Sequence, residues 1–253
     1  MFNRMSQYYP LQILFLFLMA PATGFCQQND SLTRPALQFD LRNTYFKADY
    51  NGRNGRSGTD GAYRFAITLF HTPKRGGHGR PGRPGPTLQV KVTGIPSGDS
   101  ILLGFAITKA GSKKTDHYYV NPRHGRIVIF ANGGNGGDGG KGEDGPEVTE
   151  HSSGNNGGNG GNAAAGGAGG AMNVTFDSLA TPYVNCPCTL YYNRGGKAGN
   201  GGAGGQPTGS NSSQGPGGKD GEEGRHGPPI YIMGPNGKTI RVVTGTLDLP
   251  GHP

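Results

Sequence analysis

Apolar residues are scarce in this chain. They make up 32% of its 253 residues and gather in short runs, so the core it can bury is smaller than its length suggests. After Ala20 no apolar stretch is long enough to cross a bilayer as a helix, and no transmembrane segment is expected there. Amphipathic helical periodicity is missing over the same span, which leaves a mainly β chain with essentially no α-helix. Cysteine is limited to three residues, and apart from Cys26 only Cys186 and Cys188 remain, in NCPCT. These two are a candidate disulfide, with each other or with a second chain. A metal site would need two more soft ligands, and no partner CxC or CxxC supplies them.

Catalytic motifs are missing too. The seven histidines include no HExxH, and no serine stands in a nucleophile elbow. No catalytic residue and no cofactor is expected, and the chain reads as a non-enzyme. GPNGKT at 234–239 has the ending of a phosphate loop, but Ile232 stands where that pattern needs its first glycine. Pro235-Asn236-Gly237 between two apolar runs is instead a hairpin turn. GGNGGD at 133–138 matches the start of a calcium β-roll repeat, but Gly140 fills the apolar place and the unit does not recur. Asp138, Glu143 and Asp144, near Glu147 and Glu150, are the candidates for holding a hard cation through oxygen; the plainer reading is a solvated acidic tip.

Glycine is what this chain has in excess, with 50 residues against an average usage of roughly 7%. Six runs keep glycine at every third place. The first is Gly52, Gly55, Gly58 and Gly61, and the second is Gly76, Gly79, Gly82 and Gly85. The third is Gly133, Gly136, Gly139, Gly142 and Gly145. The fourth is Gly154, Gly157, Gly160, Gly166 and Gly169, with Ala163 in the one missed place. The fifth is Gly196, Gly199, Gly202 and Gly205, and the sixth is Gly215, Gly218, Gly221, Gly224 and Gly227. A period of three matches the polyproline II helix, with three residues per turn and a rise of about 3.1 Å. Glycine on one face lets a neighbouring backbone approach. Disordered glycine-rich linkers have no reason to hold register through six runs.

Two packings fit. In collagen three chains share an axis, and GPGGKDGEEGRHGPP (215–229) and RPGRPGP (80–86) suit that arrangement. In a polyglycine II bundle the helices of one chain lie side by side. The doubled glycines of GGNGGDGGK and GGNGGNAAAGGAGGA strip two faces bare, which favours the bundle. In the fourth run the column Asn156, Asn159, Asn162, Ala165, Ala168, Ala171 puts alanine nearest the following apolar run, where packing is expected to be tightest.

Between the runs lie period-two segments of β-formers. They are 37–41, 63–69, 88–92, 101–107, 127–130, 172–176, 190–192, 230–233 and 240–243. The expected fold is a sandwich-like base of short antiparallel strands from which a bundle of polyproline or polyglycine II helices protrudes. The third run turns at 146–153 and returns as the fourth; the fifth turns around 206–214 and returns as the sixth. The expected organisation is a signal peptide at 1–26, a β-rich region at 27–132 holding the runs 52–61 and 76–85, and a glycine-rich hairpin arm at 133–171. A strand connection at 172–194, a second arm at 195–229 and a C-terminal hairpin and tail at 230–253 complete it.

Arg4 followed by LQILFLFLMA has the form of an export signal, with cleavage expected before Gln27. Lipidation of Cys26 is the alternative, and Phe25 before it argues against that. Secretion or the cell surface is expected, with the periplasm also open. The formal charge is +8, and Arg53, Arg56, Arg75, Arg80 and Arg83 look scattered rather than clustered. An acidic surface polysaccharide or another cell-surface protein is the expected partner class, with no specific nucleic acid; self-association is also open.

NGGNGGDGGKGEDGP (132–146) and NNGGNGGNAAAGGAGGA (155–171) resemble the Gly-Gly-X tracts of secreted bacterial collagen-like proteins. The arrangement is also similar to the polyglycine II bundles of phage tail-fibre adhesin tips and of springtail antifreeze proteins. The antifreeze proteins are nearly all bundle, whereas this chain carries many strands. The resemblance covers about 90 residues and implies an exported structural or adhesive role, with the loops at the bundle tips recognising a surface. The alternatives are a homotrimeric collagen-like stalk or fibre, and a cation- or glycan-binding module.

Overall fold

The structure, a computed structural model, describes residues 45–61, 72–146, 156–208 and 212–243. The expected signal, the expected strands at 37–41 and 63–69, Gly154, Glu147 and Glu150 lie outside the described residues. So do 147–153 of one expected tip loop and 209–211 of the other.

The described part is mainly β. Its strands are β1 (Tyr45–Asp49), β2 (Leu88–Ser97), β3 (Ser100–Lys109), β4 (Thr115–Val120), β5 (Arg126–Phe130), β6 (Met172–Phe176), β7 (Thr189–Tyr192), β8 (Ile230–Met233) and β9 (Thr239–Val243). A single 3-10 turn, Thr181–Tyr183, precedes β7. The strands form two sheets, one ordered β1-β5-β7 and the other β4-β3-β2-β6-β8-β9. β-branched and aromatic side chains at alternate places cause this. Met172, Val174 and Phe176 are buried while Asn173 and Thr175 are exposed, and burying each such side chain contributes about 1.5–3 kcal/mol. The buried cluster draws on both sheets, with Ile127, Ile129 and Tyr191 from one and Leu88, Val90, Phe105, Val174 and Ile232 from the other.

The expectation of antiparallel strands is only partly met. The first sheet is wholly parallel, with Ile127 registered against Phe46 and Thr189. In the second sheet β2, β6 and β8 are parallel; only the hairpin partners β3, β4 and β9 run antiparallel. The reason lies in the chain order. β1, β5 and β7 each lead into a glycine run, and β2, β6 and β8 each follow one. Every ingoing strand therefore points one way and every outgoing strand the other. β1 and β4 were absent from the expected set because little of either is buried. Ala48 is the one fully buried residue of β1, and Val120 that of β4.

The glycine runs are neither helix nor strand, yet their backbones are paired with a period of three. The amides of Gly52, Gly55, Gly58 and Gly61 donate to the carbonyls of Asn132, Asn135, Asp138 and Lys141 at 2.7–2.8 Å. Gly133, Gly136, Gly139, Gly142 and Gly145 donate in the same way to Arg194, Lys197, Asn200, Ala203 and Gln206. The first, third and fifth runs are thus parallel and extend the sheet β1-β5-β7. The second, fourth and sixth form a matching layer. Gly79 donates to Asn162 and Gly160 to Pro216, each at 2.9 Å, and the layer leads into β2, β6 and β8. Antiparallel bonds join the layers in chain order, from Arg80 to Arg56, Gly137 to Arg80, Ala164 to Gly137, Gly199 to Ala164 and Gly221 to Gly199.

Candidate functional site

The third and fourth runs occupy the middle of this array, each bonded to four others. Their sequences show it. A Cβ on Gly136 would overlap the carbonyl of Ala164 in the fourth run, and one on Gly137 the carbonyl of Arg56 in the first. Two bare positions per triplet are what a strand of backbone with neighbours on several sides requires. The third residue of each triplet faces outward. At several of these places its own amide is met by a side chain from the adjacent run of the same layer. Asn54 Oδ1 accepts from the amide of Asn135 at 2.9 Å, Asp60 Oδ1 from that of Lys141 at 2.7 Å, and Asn135 Oδ1 from that of Lys197 at 3.0 Å. These ladders leave few backbone donors of the inner runs unpaired, as a buried polar backbone demands.

The same ladders occupy the candidate cation ligands. Asp138 Oδ1 accepts from the amide of Asn200 at 2.8 Å, and Asp144 Oδ1 from that of Gln206 at 2.7 Å. Asp144 also pairs with the ammonium of Lys141 at 2.9 Å. The Gln206 amide first, and Lys141 second, hold its carboxyl below the usual carboxylate range. Glu143 is 4% exposed, and its Oε2 accepts from the amide of Lys74 at 2.7 Å. Among the described residues no group of three or more His, Cys, Asp or Glu side chains converges as a metal site would. Cys186 and Cys188 are bonded to each other, with Cα atoms 5.1 Å apart, in the turn before β7. The 234–239 segment is the β8–β9 hairpin, with Gly237 at φ 72° and its amide donating to Gly234. The alanine column of the fourth run, Ala165 and Ala168, lies on an outer face, where Ala168 is exposed. The tight contacts expected there belong to Gly166 and Gly167 instead.

The borders of the array are built differently from its middle. Gly52 and Gly133 make the same bond to the next run of their layer, so Arg53 and Arg56 are the counterparts of Gly134 and Gly137. In the other layer Gly77 and Gly161 correspond, so Lys74, Arg80 and Arg83 are the counterparts of Gly158, Ala164 and Gly167. Those positions face the previous run in the layer. In the first and second runs there is no previous run, and the five cations point off the edge, all exposed. The amide of Arg83 donates to Arg53 and that of Arg80 to Arg56, both at 2.8 Å, which sets the four arginines as two facing pairs. The scattered look of these arginines in the sequence is therefore corrected by the fold. Their grouping depends on a register between two runs about eight triplets apart, which no local pattern reveals. The signal that was present is the loss of doubled glycine in these runs.

The opposite border carries Asp220, Glu223 and His226 where the fourth run has Ala163, Gly166 and Gly169. Asp220 Oδ1 accepts from the amide of Gly201 at 2.6 Å and His226 Nδ1 from that of Gly195 at 3.4 Å. Side chains thus cap the outward donors of the fifth run. Where the interior has glycine because a Cβ would strike a carbonyl, both borders have bulky residues, which bars a seventh run from either side.

Two further features lie in the β base. Tyr50 donates to Asp116 Oδ2 at 2.8 Å, and Phe46 meets Tyr118 edge to face, with ring centroids 5.6 Å apart, tying β1 to β4. Burial, and then hydrogen bonding with Tyr118 and Asp116, push the Tyr50 hydroxyl pKa up. Lys114, and then the Tyr50 hydroxyl, hold Asp116 below the usual range. At the end of the base far from the runs, a cleft of about 300 Å³ is lined by Asp99, Ser100, Asn121, Arg123 and Tyr183. Ser100 Oγ there donates to the carbonyl of Ser97 at 3.0 Å. Comparison with protein-family models, with curated proteins and with solved structures finds no match to this chain.

Proposed function

We propose that the six runs are polyglycine II helices packed as a two-layer bundle on a β-sandwich base, and that the protein is an exported, non-enzymatic, collagen-like structural or adhesive protein of the cell surface. One observation carries this reading: the six runs bond to one another at a period of three, from Gly52 to Asn132 through Gly224 to Gly196. A bundle so bonded is rigid for its slenderness, because each turn is tied on several sides. The base folds the ingoing and outgoing strands into one core and fixes the register of all six helices. Rigid display of outward-facing columns and of the distal loops suits a role in contact rather than in chemistry.

The trimeric stalk needs one bare face per chain turned to two other chains. Here the bare faces are already used within the chain, and the borders carry arginine and acidic side chains, which favours the monomeric bundle. The test is amide exchange on glycine-labelled protein together with sedimentation. Slow exchange at Gly134, Gly137 and Gly140 in a monomer is the expected result. Random-coil exchange rates, or a trimer that loses protection on dissociation, would overturn it.

A further inference from the structure

We propose that the edge formed by the first and second runs is a binding surface for a linear acidic polysaccharide, with Arg53, Arg56, Arg80 and Arg83 as its anion contacts and Lys74 extending it. The proposal rests on the bundle reading above. Arg53 faces Arg83 and Arg56 faces Arg80 across one line of backbone bonds. The two pairs are one helical turn apart, roughly 9 Å at three residues of about 3.1 Å. All four side chains are exposed. The nearby carboxylates are turned elsewhere, Asp60 to the amide of Lys141 and Glu143 to that of Lys74. Among the described residues the edge is therefore cationic without internal neutralisation, and it is rigid, so little backbone entropy is lost on binding. Guanidinium groups hold carboxylates and sulfates in fork geometry.

The spacing and composition choose among polyanions. In a linear sugar chain the acid groups of every second residue repeat on the scale of these rungs, and a chain with an acid on every residue offers one such group to each rung with another between. Nucleic acid is denser, with a phosphate about every 3.4 Å along each strand, and would leave most of its charge unmatched. Residues 52–61 and 72–86 contain no Phe, Tyr or Trp, and the one imidazole among them, His78, accepts from the amide of Asn162 through Nδ1, so these runs offer no row of rings for stacking bases. The cationic edge also faces away from the acidic border of Asp220 and Glu223, which orients a polyanion to one side of the molecule.

The experiment is equilibrium binding of the full chain to polygalacturonate, a linear polyuronate, at about 50 mM salt, where screening still leaves polyanion contacts strong. Neutral dextran and double-stranded DNA are the comparison ligands. The variant R53S/R56S/R80S/R83S should weaken polyuronate binding about tenfold or more and flatten its salt dependence. The variant K91S/K109S/K219S/K238S, with the same loss of charge away from the edge, should weaken it less than about twofold. Should the fourfold edge variant lose glycine amide protection, the single-pair variants R53S/R83S and R56S/R80S replace it, each expected to weaken binding about threefold. Equal weakening by edge and control variants, tighter binding of DNA than of polyuronate, or no polyuronate binding by the wild type would each overturn the proposal. Protected glycine amides without polyuronate binding sink this inference alone; unprotected amides sink the bundle.

Discussion

Adding one methyl group at Gly137 tests the packing most directly. A Cβ there would lie 2.5 Å from the carbonyl carbon of Arg56 and 3.0 Å from the nitrogen of Ser57. Carbon atoms in contact need about 3.5–4.0 Å, so the first run must move off by roughly 1 Å. Three bonds between the first and third runs then fail around the site: Gly55 to Asn135 at 2.7 Å, Gly58 to Asp138 at 2.7 Å, and Asn135 to the side chain of Asn54 at 2.9 Å. At about 1 kcal/mol each their loss costs about 3 kcal/mol. The unfolded chain loses freedom when glycine becomes alanine, which returns about 0.4–1 kcal/mol. The net expectation for Gly137→Ala is a destabilisation of about 2 kcal/mol, or a fall in Tm of about 4–8 °C for a chain of this size. Gly217→Ala is the matched control. A Cβ there meets only the carbonyl of Gly202, at an ordinary 3.6 Å, and its φ is not positive. That substitution should be neutral or stabilising by up to about 1 kcal/mol. Thermal unfolding followed by calorimetry and by far-ultraviolet circular dichroism reads both. Equal shifts at the two positions would refute the reasoning, because they would mean that Gly137 has no closer neighbour than Gly217.

Other consequences follow from particular contacts. Asp177 accepts from the amide of Gly94 at 3.1 Å and of Ala180 at 2.7 Å; Asp177→Ala should cost about 1–3 kcal/mol in urea unfolding and leave glycine amide protection in the runs unchanged below the transition. Asp144 and Asp116 have folded pKa values below the unfolded value of about 3.9, so their contribution is complete above that value and is lost as pH falls through the lower folded ones. Melting curves should therefore fall below about pH 4, and Asp144→Asn, which keeps the acceptor for Gln206, should fall less steeply; parallel curves for the two proteins would refute the assignment. R53G/R56G/R80G/R83G bares the edge that the serine variant still blocks with Cβ atoms. Sedimentation should show concentration-dependent association for the glycine variant and monomer for the serine variant, and the reverse order would show that charge rather than bulk closes the array.

Much of this architecture is legible in the residues because glycine's requirement is steric and local. Doubled glycine in 133–142 and 157–171 marks the runs with bonded neighbours on several sides, and single glycine in 52–61 and 218–227 marks the borders. Strands with clean alternation, such as MNVTF and LQVKV, read correctly for the same reason, since burial on one face is written into period two. The strands that escaped notice, YFKAD and TDHYYV, are edge strands. Each buries one residue fully, so neither shows a clean alternation, and the pairing of YFKAD is decided by β5, far away in the chain. The parallel order of β1, β5 and β7 was likewise hidden, because it follows from three excursions of unequal length returning to the same end.

The candidate site belongs to this second kind of information. Arg53 and Arg83 are thirty residues apart, and their pairing is fixed only when the second run docks antiparallel on the first and the third run sets the register of both. In most positions of such an array an arginine would be excluded, because the place its Cβ needs is held by a carbonyl, as at Gly134 and Gly137. Side chains of any size are admitted only on the outer faces and at the two borders. A basic chain whose interior must be glycine thus has few places to put its charge. At the first border it puts five cations, and at the last border two carboxylates and a histidine. Closing the array and polarising it are one and the same act of substitution, since each residue that stops another run from docking is also one that a charged partner can meet.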